Sequence, residues 1–132
     1  MHSALIPVVA VWLVSFTCYL LAGFLIWKRR IGRTPHIVLT IAGFMADFIA
    51  LFFQFQALHA IGASDPSFAP DADLKSLHTV FLNLSMGMYC VTAMFGFFKT
   101  MGWYKISRFH VPVAFCFLLT LLVARVLFLR MV

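Results

Sequence analysis

The chain has 132 residues, 64% of them hydrophobic and 11% charged, with 16 Phe and a formal net charge of +6. A soluble domain carries about 25% charged residues, so this chain lacks the polar side chains to cover a water-facing surface. That excludes a soluble enzyme domain, and the excess cations point to anionic lipid headgroups as partners, not to nucleic acid.

Apolar stretches of roughly 20 residues with few charges have membrane-spanning length. Four are found, near residues 4–27, 36–61, 76–98 and 110–131. The expected fold is an all-α integral membrane protein: a four-helix antiparallel bundle with short loops, forming one membrane domain over residues 1–132. The first span reads as a mature helix and not as a signal peptide. Its leader "MHSALIPVVA" carries no Lys or Arg, its apolar run exceeds the 7–15 residues typical of a signal core, and no A-x-A-like site follows.

A basic loop at 28–35 follows, with Lys28, Arg29, Arg30 and Arg33. Thr34-Pro35 then offers a cap and a first-turn proline, which puts His36 in the first turn of helix 2. The loop at 62–75 is acidic, with Asp65, Asp71 and Asp73 against Lys75, and Asp71 or Asp73 can cap helix 3 before His78. A second basic loop at 99–109 holds Lys99, Lys105 and Arg108, and Ser107 can cap helix 4 ahead of His110. Lys and Arg in short loops stay cytoplasmic. Both basic loops are therefore expected in the cytoplasm and both termini outside. The two halves share one plan of helix, basic loop and His-initiated return helix, which hints at a duplicated hairpin.

Polar side chains at membrane depth carry functional hypotheses by default. His36 and His110 share the cytoplasmic level, while His59 and His78 share the outer one. Paired imidazoles from facing helices suit a haem iron or a transition metal. The weightier reading is the plain one, since an imidazole at the membrane interface is a comfortable amphipathic residue and no His has metal-motif spacing. His36 and His59 are about 34 Å apart along one helix, so one site at one edge fits better than two haems in series.

Asp47 lies on the His36 face of helix 2, near mid-membrane, and Arg125 is the other deep charge. A structural pair between them is the favoured reading. Gln54, Gln56, His59, His78, Asn83 and Arg125 collect at the outer level, as a polar pocket or as inter-helix hydrogen bonding. Met86 and Cys90 share a helix face, but no sulfur cluster supports a copper site. Gly87, Ala93 and Gly96 suit close helix packing. No nucleophile–base pair or phosphate loop is present, so an enzyme is not expected.

The runs "LAGFLIWKRRIGRTPHIVLTIAGFMADFIALFFQF", "LHTVFLNLSMGMYCVTAMFGFF" and "KISRFHVPVAFCFLL" resemble the small four-helix CtaM/YozB-like membrane proteins, a family associated with maturation of haem–copper cytochrome oxidases. The shared features are the basic first loop, the His opening helix 2, the polar outer loop and the His opening helix 4. The resemblance implies that His36 and His110 are the family's helix-start histidines and that His59 matches a His near the end of helix 2. It departs at "HIV" and "HVP", where the family places a basic pair. It departs again at Ser85, where the family's helix 3 His falls, with His78 seven residues earlier. The last helix also lacks the family's Thr-Gly pattern. The implied function is a non-enzymatic accessory or maturation factor of a respiratory oxidase in the bacterial cytoplasmic membrane, working beside other integral subunits. The cofactor stays open, with haem b ahead of copper among the candidates. The alternative is a haem b membrane cytochrome or a structural subunit of an electron-transfer complex.

Overall fold

The computed structural model describes residues 3–28, 34–103, 105 and 108–132. A 3-10 turn, Ser3–Leu5, leads into α1 (Ile6–Trp27), followed by α2 (Thr34–Ser64), α3 (Ala72–Thr100) and α4 (His110–Met131). All four helices are long and apolar enough to cross a membrane. Helices α2 and α3 run past the expected 36–61 and 76–98 because their polar ends continue the backbone hydrogen bonding beyond the apolar stretch. Arg29, Arg30, Arg33 and Ser107 lie outside the described residues.

The chain divides into two compact units, Met1–Ala69 and Pro70–Val132. Each is a helical hairpin, α1 packing on α2 and α3 on α4. In the first, Leu5, Val8, Trp12, Ser15, Tyr19 and Ala22 are buried, at alternating spacings of three and four residues. That spacing draws a seam suited to shallow left-handed crossing. The matching stripe on α2 is mostly small: Gly43, Ala46, Ala50 and Ala57, with Gln54 and Ile61. Small residues let helix backbones approach closely where lipid removes any hydrophobic drive for association.

In the second hairpin the α4 seam runs through His110, Phe117, Leu121, Ala124, Phe128 and Met131. Ring contacts of His78 with Phe128, Tyr89 with Phe117 and Phe95 with Phe109 show that α3 and α4 run antiparallel. Polar seam residues satisfy themselves locally. Ser15 donates to the Trp12 carbonyl, Ser85 to that of Leu82 and Thr92 to that of Met88, local bonds that let a hydroxyl lie in a helix seam.

The outward surface is the reverse of a soluble protein's. Phe55 is 72% exposed and Phe115 67%, which suits contact with a lipid bilayer. Helix α3 starts with Asp71, whose carboxylate accepts from the Asp73 and Leu74 backbone N–H groups at 2.8 and 3.0 Å. His78 is thus in the second turn. At the other end, Gly102 adopts φ +82, the left-handed turn that ends many helices. The Trp103 N–H reaches back to the Phe98 carbonyl and the Gly102 N–H to that of Lys99.

Candidate functional site

In the first hairpin, the polar centre is built from three residues. Asp47 sits at mid-length on α2 and its Oδ2 accepts a 2.9 Å hydrogen bond from Tyr19 Oη on α1. Room for the tyrosine ring comes from Gly43, one turn before Asp47. A Cβ on Gly43 would stand 2.7 Å from Tyr19 Cε1, so any side chain there displaces the ring. A carboxylate at the centre of a span costs about 2.5–3.5 kcal/mol to insert, and one interhelical hydrogen bond returns about 0.6–1.7 kcal/mol. The tyrosine therefore offsets part of that cost. The sequence does not single out Tyr19, which stands on the α1 seam as a polar-tipped ring.

His36 is 6% exposed in the first turn of α2, and Gln54 is buried on the same helix. Gln56, two residues on and therefore about 200° around the helix, is exposed, as is His59. The outer-level cluster expected from depth thus splits between opposite faces of α2.

In the second hairpin, His110 opens α4 and is 1% exposed. Its ring rests on α3 at Gly96, where an added Cβ would stand 3.4 Å from His110 Cε1. Gly96 therefore makes the close approach expected of it, whereas a Cβ on Gly87 would meet nothing within 4 Å. Arg125 is buried in the α4 seam, one turn from Phe128, against which the half-buried His78 packs at 5.8 Å. Asn83 is exposed on α3. Cys18, Cys90 and Cys116 are free thiols on three separate helices.

An axial ligand must present a ring nitrogen to an open, flat slot. His110 is buried over Gly96 and His36 is nearly as buried. His59 and His78 lie on different helices of different units, the first exposed and the second against Phe128. Among the described residues, no group of three or more His, Cys, Asp or Glu side chains is placed to hold a metal ion. The open groove lined by Phe48, Ile49, Leu51, Phe52 and Phe55 comes from α2 alone. It is an apolar helix surface with no polar group to orient a ligand.

No family, no curated protein and no solved structure matches the chain. Chemically, the arrangement offers helix-packing contacts in which histidine, tyrosine, aspartate and arginine take part.

Proposed function

We propose that the chain is a non-enzymatic integral membrane accessory factor that acts by docking its helices against those of a larger membrane complex. The observation that carries this reading is Asn83. It lies three residues from the midpoint of α3, about 5 Å along the axis, and is exposed among apolar residues. A carboxamide without a partner in hydrocarbon costs several kcal/mol, whereas an asparagine meeting another helix supplies a hydrogen bond that holds the two together. Beside it, Thr79, Gly87 and Cys90 are also exposed and leave room for close approach.

The resemblance to CtaM/YozB-like proteins directs the choice of partner to a respiratory haem–copper oxidase. Lys28, Lys99, Lys105 and Arg108 then face the cytoplasm under the distribution of positive charge, and both termini face outward. His36 and His110 serve here as packing residues at the two helix starts, which agrees with their enclosure.

Deleting the gene and measuring terminal oxidase activity in isolated membranes tests the reading. Activity falls on deletion, returns with the wild-type chain, and returns only in part with Asn83→Leu at equal membrane abundance. Unchanged oxidase activity on deletion overturns the choice of partner. Full rescue by Asn83→Leu overturns the role given to the α3 face.

A further inference from the structure

The turn between α3 and α4 gathers three cations, Lys99, Lys105 and Arg108, and the chain has no Asp or Glu after Asp73. No carboxylate of the second hairpin's turn or of α4 therefore compensates them. Arg108 and Lys105 are exposed and Lys99 is half-buried.

The adjoining ends of α3 and α4 carry an aromatic surface. With Gly102 at φ +82, the backbone closes the paired hydrogen bonds that end α3, and this geometry brings the residue after the glycine back over the helix. That residue is Trp103, stacked on Phe98 at 5.3 Å with an interplanar angle of 19°. Phe98 meets Phe95 at 6.3 Å, and Phe95 meets Phe109 at 6.3 Å. The Arg108 guanidinium lies over the Phe109 ring at 4.9 Å. Trp103 nevertheless remains 51% exposed.

A guanidinium over a ring face can still donate from its N–H edge in a fork, the geometry that matches two oxygens of a phosphate. Trp103, joined to Phe109 through Phe98 and Phe95, is exposed and suits the glycerol and upper acyl region, where amphipathic rings settle. Phe109, at the N-cap position of α4, supplies no side-chain acceptor, and the free N–H groups of a helix start favour an anion nearby.

We propose that the facing ends of α3 and α4, around Lys99, Trp103 and Arg108, form a binding site for the headgroup of an anionic phospholipid. Arg108 grips the phosphodiester, Lys99 and Lys105 supply the surrounding field, and Trp103 on Phe98 seats the glycerol. This site is independent of the docking face on α3 and of any oxidase partner.

The test titrates the purified full chain, in a neutral detergent, with phosphatidylglycerol, with phosphatidylcholine and with inorganic phosphate, and counts bound lipid by native mass spectrometry. Phosphatidylglycerol is retained in preference to phosphatidylcholine, and millimolar phosphate does not displace it. Lys99→Gln with Arg108→Gln weakens retention about fivefold per cation removed. The charge-matched control, Lys75→Gln with Arg130→Gln, leaves it unchanged. Arg108→Lys keeps the charge and loses the fork, and so weakens retention less than Arg108→Gln; it serves also where Arg108→Gln fails to fold. Equal retention of the two lipids, an equal loss in the control pair, or displacement by phosphate alone overturns the proposal.

Discussion

Tyr19 and Asp47 tie the two helices of the first hairpin together through a 2.9 Å hydrogen bond, and the ring that makes it fits only because residue 43 is glycine. The carboxylate is thus held by a group on the neighbouring helix, whose position depends on an absent side chain one turn away.

Removing the hydroxyl with Tyr19→Phe lowers stability by about 0.6–1.7 kcal/mol, read from unfolding of the detergent-solubilised chain in a denaturing detergent. Gly43→Ala lowers it further, because the ring is pushed away and the bond is lost with it. In the Gly43→Ala background Tyr19→Phe then costs little. Strictly additive losses contradict this coupling.

The second hairpin gives a paired prediction. Gly96→Leu drives a side chain into the His110 ring and costs about 1–3 kcal/mol by overpacking. Gly87→Leu meets open space and leaves the unfolding midpoint within error of wild type. The same assay reads both, and an equal effect at the two glycines is the contrary result.

At the end of α3, Gly102→Ala forces a Cβ into a left-handed backbone and costs about 1 kcal/mol. It also loosens the Trp103–Phe98 stack. In a chain whose other tryptophans are replaced by Phe, Trp103 emission moves to longer wavelength in this variant. Unmoved emission says that the glycine does not set the stack.

Because His36 and His110 are enclosed by protein, the purified chain is expected to show no reducible Soret band. Oxidised and reduced absorption spectra check this. His110→Ala instead lowers the unfolding midpoint, by leaving a cavity over Gly96. A Soret band that disappears in His36→Ala, His110→Ala restores the cytochrome reading.

What the sequence made legible was whatever composition and spacing control directly. The four spans follow from apolar length, and α4 has the expected bounds, His110–Met131, because its apolar run begins at a histidine after a basic loop. A cap at Asp71 or Asp73 was readable from their place before a helix, and the structure has it at Asp71. The Tyr19 bond to Asp47 was not readable: among so many aromatic residues Tyr19 carries no local signal. Gln54 and Gln56 share a depth but not a face, a distinction that needs the seam of α2 and not a count along it. The Trp103–Phe98 stack depends on a backbone angle at Gly102, which a sequence holding seven glycines does not single out.

The central claim is that Asn83 meets a protein partner in the membrane. A photoreactive phenylalanine analogue placed at position 83, and in a second chain at Phe115, tests it most directly in native membranes. The account predicts a protein adduct of higher mass from position 83 and lipid adducts from position 115. Lipid adducts alone from position 83 would contradict it.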